Sequence, residues 1–295
     1  MSFKAGFVSV IGRPNVGKST LLNALTGEKI AIMSNKPQTT RNTIRGVVTN
    51  NECQLVLIDT PGIHNPKTKL GQYMVNVASD SMREVDLILF MVEANAKSTT
   101  ANEQIIETLK GIKTPVFLII NKIDTISKDK LFSIIDAYSK MMDFKSIIPI
   151  SALNNDGTAI ILKEALKFIP EGDKMFPDDT LTDQPEKVIV AEMIREKILL
   201  NLDDEIPHGV GVEIMSFKER EDGLINIQAT IYCEKSSHKG IIIGKQGAML
   251  KKIGSAARFE IERLLYTKVF LELWVKVKPD WRNNDSMLRE LGYKK

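Results

Sequence analysis

Apolar runs of four to seven residues alternate with amphipathic stretches through the first 170 positions. The runs Phe7–Ile11, Gln54–Asp59, Asp86–Val92, Pro115–Asn121 and Ile147–Ile150 are partly β-branched or aromatic and end in turn residues. That pattern predicts buried strands. Helical spacing predicts helices over 17–26, 69–80, 101–111, 128–141 and 156–168. Gly46–Asn50 predicts one more strand, joined to the next by a hairpin through Asn50 and Asn51. Strands that alternate with helices imply an α/β fold: a mainly parallel, doubly wound sheet covered on both faces.

The pattern then changes. Residues 170–186 carry three prolines, several acids and few periodic apolar positions, which predicts a linker. Beyond it the spacing predicts a helix (187–200), strands (211–217 and 223–233), a short helix (236–243), a longer one (247–265) and a strand (268–277). The order α-β-β-α-α-β makes a smaller α+β domain. The expected division is 1–170 for the first domain, 171–186 for the linker and 187–295 for the second domain.

Composition narrows this picture only slightly. With 295 residues, 43% of them hydrophobic, the chain can bury two cores. A formal charge of +3 selects no partner. Cys53 and Cys233 lie far apart and have no Cys or His at ligand spacing, so neither a zinc site nor a disulfide framework is expected. Both read as core residues of a protein in a reducing cytosol. The N-terminal apolar run is too short for a signal peptide, and no stretch approaches the roughly 18 apolar residues of a membrane span.

Local chemistry is more specific. Gly12-Arg13-Pro14-Asn15-Val16-Gly17-Lys18-Ser19, followed by Thr20, matches G-x-x-x-x-G-K-[ST] between a strand and a helix. Glycines let backbone N–H groups wrap a β-phosphate, Lys18 gives the β/γ oxygens a point charge, and the Ser19 hydroxyl suits Mg²⁺. Asp59-Thr60-Pro61-Gly62, with Ile63 next, ends a buried strand. Asp59 can hold the Mg²⁺ through a water, and the Gly62 N–H can meet a γ-phosphate. Thr39 and Thr40 lie in a polar loop, where one threonine, here assigned as Thr40, can complete the metal shell when that phosphate is present. Lys18, Thr40, Asp59 and Gly62 are therefore the candidate catalytic residues.

Asn121-Lys122-Ile123-Asp124 and Ser151-Ala152-Leu153 follow two further strands. Together with the phosphate loop they resemble the base-reading loops of the Ras-like GTPase superfamily. The Asp124 carboxylate can accept from guanine N1–H and the 2-amino group, a pairing that adenine cannot offer. Asn121 would tie the loops together, the Lys122 stem would cover the ring, and the Ala152 N–H would reach guanine O6. Many Ras-like proteins orient water with a glutamine where this chain has Ile63, which implies slow intrinsic turnover. The neighbouring His64 is expected to be a mobile surface residue. Arg41 and Arg45 are expected to face solvent or a partner rather than act as an arginine finger. Resemblance to cation-assisted GTPases makes Asn15 a ligand for K⁺.

In the second half, Gly240-Ile-Ile-Ile-Gly244-Lys245-Gln246-Gly247 resembles the GXXG loop of a type II KH domain, which clamps single-stranded nucleic acid. Between Lys235 and Lys278 there are ten Lys or Arg residues and three acidic ones. Lys239, Lys245, Lys251 and Lys252 surround the loop, and with Gly244, Gln246 and Gly247 they are the candidate RNA contacts. His208, His238, Trp274 and Trp281 read as structural or surface residues, both tryptophans as packing.

A P-loop GTPase sheet followed by a type II KH domain resembles the bacterial Era family over nearly the whole chain. Ala191-Glu192-Met-Ile-Arg195-Glu196-Lys197 and Glu205-Ile-Pro207-His208 resemble that family's approach to its KH domain. The resemblance implies a GTPase that binds near the 3′ end of 16S rRNA and assists small (30S) ribosomal subunit assembly. It further implies a cytoplasmic monomer with peripheral inner-membrane association. The other reading is a signalling or RNA-modification-linked GTPase whose second domain binds a different partner.

Overall fold

The computed structural model describes residues 2–36, 38–63, 66–95 and 100–293. They form two compact units. One comprises Met1–Ala31, Thr40–Asn65 and Met74–Asp183; the other comprises Ile32–Thr39, Pro66–Tyr73 and Gln184–Lys295.

The first unit holds a six-stranded sheet in the order β2-β3-β1-β4-β5-β6. Its strands are β1 (Lys4–Gly12), β2 (Ile44–Thr49), β3 (Cys53–Asp59), β4 (Leu87–Glu93), β5 (Val116–Asn121) and β6 (Ser146–Pro149). All pairs are parallel except β2–β3, the expected hairpin. Helices α1 (Lys18–Thr26), α2 (Lys69–Asp80, in this unit from Met74 on), α3 (Thr100–Lys110), α4 (Lys128–Ser139) and α5 (Thr158–Ala165) complete the alternation. The central strands are near-continuous apolar runs because both faces are covered. One core gathers Val8, Leu21, Leu55 and Phe117; the other gathers Ile11, Phe90, Leu118 and Tyr138. Cys53 lies in the first of these, as expected.

The stretch expected as a linker begins within this unit. Buried Gln54 accepts from the Met175 and Phe176 N–H groups (2.7 and 2.9 Å) and donates to the Phe176 carbonyl (2.8 Å). Farther along, the Val47 N–H donates to the Leu181 carbonyl (2.8 Å), Thr182 Oγ1 donates to the Arg45 carbonyl (2.6 Å), and Arg45 pairs with Asp183 (2.8 Å). The connector thus runs along β2, the strand at one end of the sheet.

The second unit has the order α6 (Glu186–Asn201), β7 (Gly211–Glu219), β8 (Ile225–Cys233), α7 (Ser236–Ile243), α8 (Ala248–Leu265), β9 (Val269–Val277) and a short α9 (Asp285–Glu290). Strands β7 and β8 are antiparallel, and β8 and β9 are parallel. Val190, Ile194, Ile198, Ile231, Cys233, Ile253 and Ile261 form the core between helices and sheet. Trp281 is fully buried, its Nε1 donating to the Gly209 carbonyl (2.8 Å), so its packing role is as read. Trp274 is 60% exposed, which corrects its reading as a packing residue. It alternates with Leu273 and Val275 on β9, and period two turns it away from the helix-covered face.

Candidate functional site

In an open α/β sheet, ligands bind outside the carboxyl ends of the strands, where strand order reverses. Here β1 lies between β3 and β4, and the loops after β1, β3, β5 and β6 carry all four predicted nucleotide segments. The phosphate loop has the backbone its glycines allow. Gly12 and Gly17 have φ of 150° and 104°, and a Cβ on Gly12 would lie 2.3 Å from the Met91 carbonyl oxygen. Asn15 also takes a left-handed conformation (φ 64°) and is exposed. Lys18 opens α1 and turns back into the loop, donating to the carbonyls of Gly12 (3.2 Å) and Arg13 (2.9 Å). Burial pushes its pKa down to about 8, against the pull of Asp59.

Asp59 sits at the end of β3 and is fully buried. Burial raises its carboxyl to about 6, opposed by Lys18 and by hydrogen bonds from Ser19, Thr40 and Thr60. Its Oδ2 accepts from Ser19 Oγ (2.6 Å) and Thr40 Oγ1 (3.4 Å), and the two hydroxyls lie 2.9 Å apart. Its Oδ1 is buried with no hydrogen-bond partner. A buried carboxylate oxygen left unsatisfied is costly. Three hard oxygens together with that orphan fit Mg²⁺. Of the two loop threonines, Thr40 reaches this cluster; Thr39 Oγ1 instead donates to the Lys36 carbonyl (2.6 Å) in the second unit. Among the described residues, no cluster of three or more His, Cys, Asp or Glu stands ready for a metal.

Thr60 Oγ1 donates to the Val10 carbonyl (2.8 Å), and the Ile63 N–H donates to the Gly12 carbonyl (3.1 Å), which sets Pro61 and Gly62 beside the phosphate loop. Ile63 is half-buried; it packs against the second core and lines a pocket of about 230 Å³ with Val75, Met82 and Ile105. His64 lies outside the described residues. Arg41 is 1% exposed, which corrects its reading as solvent- or partner-facing.

The base-reading loops are tied by one side chain. Asn121 Nδ2 donates to the Val16 carbonyl (2.8 Å), and Asn121 Oδ1 accepts the Ala152 N–H (2.9 Å). Asn121 therefore joins the phosphate loop to the Ser151–Leu153 loop as expected. The Ala152 N–H, expected on guanine O6, is engaged by this bond, so reading O6 with that amide requires the bond to be exchanged. Asp124 and Leu153 are exposed at the rim, whereas Ser151 is buried. Lys122 is left-handed (φ 65°) and pairs with Glu93 at 3.2 Å. Sequence reasoning missed Glu93, whose only signal was its place at the end of a buried strand.

In the second unit, α7 ends at Gly244 (φ 73°), Gln246 is left-handed (φ 51°), and Gly247 (φ 79°) opens α8. A Cβ on Gly244 would lie 2.7 Å from Met249 Cβ, whereas one on Gly247 would meet nothing within 4 Å. Lys239, Lys245, Gln246, Lys251 and Lys252 are all exposed. Beside the loop runs a groove of about 490 Å³, with Leu250, Lys251 and Arg258 of α8 on one side and Leu271 and Leu273 of β9 on the other.

Residues 7–122 match the family model described as a 50S ribosome-binding GTPase, and residues 205–282 match a KH domain model. A GTPase Era from Ruminiclostridium cellulolyticum is 80% identical over 294 residues, covering 100% of this chain and 99% of its own. One from Alkaliphilus metalliredigens is 55% identical over 99% of this chain and 100% of its own. The chain belongs to the Era family of GTPases. The fold agrees with Era throughout. A single-substitution variant of Aquifex aeolicus Era bound to GDP·AlF4⁻ superposes with a TM-score of 0.96 at 40% identity, covering 99% of this chain and 100% of that one. A structure of Era with MgGDPNP and nucleotides 1506–1542 of 16S ribosomal RNA gives 0.96 at 41% identity, with the same coverage. As an Era GTPase the protein binds and hydrolyses GTP. Its described residues include no helix long and apolar enough to cross a membrane.

Proposed function

We propose that this chain is a GTP-driven switch that binds RNA matching the 3′ end of 16S rRNA through its Gly244–Gly247 loop and assists small-subunit assembly in the cytoplasm. The observation that carries the reading is the GKQG loop beside a groove lined by leucines, Lys251 and Arg258, in a chain 41% identical along 99% of its length to an Era solved on those nucleotides.

In this reading Asp124 at the rim accepts from guanine N1–H and the 2-amino group. ATP would leave the carboxylate unpaired and be rejected by roughly 10⁴-fold. Backbone N–H groups between Gly12 and Thr20 wrap the phosphates, and the Lys18 ammonium, held by two carbonyls, turns to the β/γ oxygens. Ser19, Thr40 and, through a water, Asp59 would hold Mg²⁺, which neutralises charge on the phosphates. Thr40 and the Gly62 N–H sense the γ-phosphate. Ile63 packs against α2 and α3 and offers no donor or acceptor to the attacking water, so turnover without a partner is slow. Exposed Asn15 supports a K⁺ ligand; faster hydrolysis in K⁺ than in Na⁺ at matched ionic strength is expected, and equal rates would remove it.

For RNA, Gly247 leaves open space for a sugar–phosphate backbone, and Lys239, Lys245, Lys251 and Lys252 neutralise it, with Gln246 at the loop tip. The test is the affinity for a 3′-end 16S RNA, with Gly244→Asp beside the parent protein. The variant should lose RNA binding and keep GTP hydrolysis. If it binds RNA as well as the parent, the loop is not the RNA site; if neither binds, the second unit serves another partner.

A further inference from the structure

Three consecutive charged residues in the middle of α6 have no part in the chemistry above. Arg195, Glu196 and Lys197 are 0, 1 and 6% exposed. A buried ion is tolerated only where pairing and hydrogen bonds offset the loss of its hydration. Successive helical residues point about 100° apart, so the three can serve three different neighbours.

Their neighbours belong to the same compact unit. Arg195, held by Glu192 (Nε–Oε1 2.8 Å), donates to the carbonyls of Gln38 (3.3 Å) and Thr39. Glu196 Oε1 accepts the Met33 N–H (2.8 Å), and its Oε2 accepts from Lys197 Nζ (2.8 Å). Lys197 Nζ also reaches Glu260 Oε1 on α8. Past the end of α6, Lys36 donates to the Leu202 carbonyl and pairs with Asp203 (3.0 Å). The segment Ile32–Thr39 is thus gripped at both ends by the helix that leads into the KH fold. The next residue in the chain is Thr40, whose hydroxyl lies 2.9 Å from Ser19 Oγ. At the other end, Glu260 lies on the helix that begins at the GKQG loop.

We propose that the buried series Arg195–Glu196–Lys197–Glu260 is the relay between nucleotide state and RNA affinity. When Thr40 engages or releases the γ-phosphate and its ion, the adjoining Gln38 and Thr39 carbonyls and the Met33 amide shift on α6. The cation shared by Glu196 and Glu260 passes that shift to α8. These are positioning residues: none touches nucleotide, and the groove is formed by other side chains. The inference rests on the reading of the second unit as an RNA-binding one.

The experiment compares affinity for the 3′-end RNA in the presence of a non-hydrolysable GTP analogue and of GDP, at one salt concentration, for the full chain and for Glu260→Gln, Lys197→Met and Lys197→Arg. The parent should show a nucleotide-dependent ratio in the usual allosteric range, about 5-fold or more. Glu260→Gln and Lys197→Met should bring the ratio close to one, with hydrolysis in the absence of RNA unchanged and RNA affinity in GDP within a few-fold of the parent; Lys197→Arg should restore it. Lys197→Met removes the cation that Glu196 and Glu260 share. Should its melting temperature fall below the assay temperature, Glu260→Gln, on a side chain one quarter exposed, decides the matter. A folded variant that keeps the parent ratio overturns the relay. A parent that binds RNA equally in both nucleotide states overturns it as well, while leaving the RNA site intact. A parent that binds no RNA overturns the proposed function itself.

Discussion

The molecule carries two glycine loops of opposite design, each read as a phosphate site. In the first unit the loop is closed: a Cβ on Gly12 would strike the Met91 carbonyl at 2.3 Å, and Lys18 is buried with its pKa drawn down to about 8. In the second the loop is a shelf: Gly247 has open space beyond its Cα, and Lys245, Lys251 and Lys252 stand in solvent. A closed cradle can desolvate one small anion and count its phosphates. An open shelf lets a polymer run past and takes its affinity from counterion release. Glycine alone therefore does not define a phosphate site; what surrounds the glycine decides whether the ligand is enclosed or continuous.

The largest expected effect lies at the rim of the cradle. Asp124→Asn should lower GTP affinity by about 10³-fold or more while raising that for xanthosine triphosphate, whose 2-oxo group accepts from an amide. A nucleotide titration that shows unchanged GTP affinity would break the guanine assignment. Next come the glycines themselves. Gly12→Ala places its methyl against backbone at φ 150° and should cost nucleotide binding about 10²-fold or more. Gly247→Ala meets no atom and carries only the left-handed penalty, roughly 1–2 kcal/mol, read as a small fall in melting temperature. If the two substitutions behave alike in thermal melts and binding, the closed-versus-open distinction is wrong.

A pH-dependent effect follows from the Asp59 carboxyl, which burial raises to about 6. A folded-state pKa above the unfolded value of about 3.9 gives stability that is complete below that value and is lost as pH rises through the folded pKa. In chelator and without nucleotide, Asp59→Asn should therefore gain on the parent as pH rises from 4 to 7. The gain is at most about 3 kcal/mol, less whatever attraction to Lys18 is forfeited. Parallel melting curves across that range would contradict it. Smallest is the shelf's lysine chemistry: Lys251→Ala should weaken RNA binding a few-fold and reduce the slope of log K against log salt by about 0.7, with nucleotide affinity untouched.

The fold and the nucleotide site were legible because their signals are local. A strand, a glycine loop and a helix N-terminus follow one another within a few residues of Gly12, and Asn121 and Ser151 each follow a buried strand. Illegible were the facts that depend on contacts between distant segments. Arg41 looks like a surface arginine until the fold buries it; Trp274 sits on the uncovered face of β9, whereas Trp281 is buried in a turn beyond that strand. No periodicity assigns Ile32–Thr39 to the second unit; that follows from Glu196, some 160 positions away, accepting the Met33 N–H. The charged triplet of α6 was visible as a motif, but its burial was not.

The connector along β2 has a consequence for the life of the protein before and after it is folded. A terminal strand offers a row of unpaired amides and carbonyls, an invitation to other chains. Residues 175–182 occupy that side, with the Gln54 amide fastening one end and the Leu181 carbonyl and Thr182 hydroxyl the other. Residues 175–182 thereby also shield the sheet, and a proteolytic nick within them would open that margin to strands of other chains.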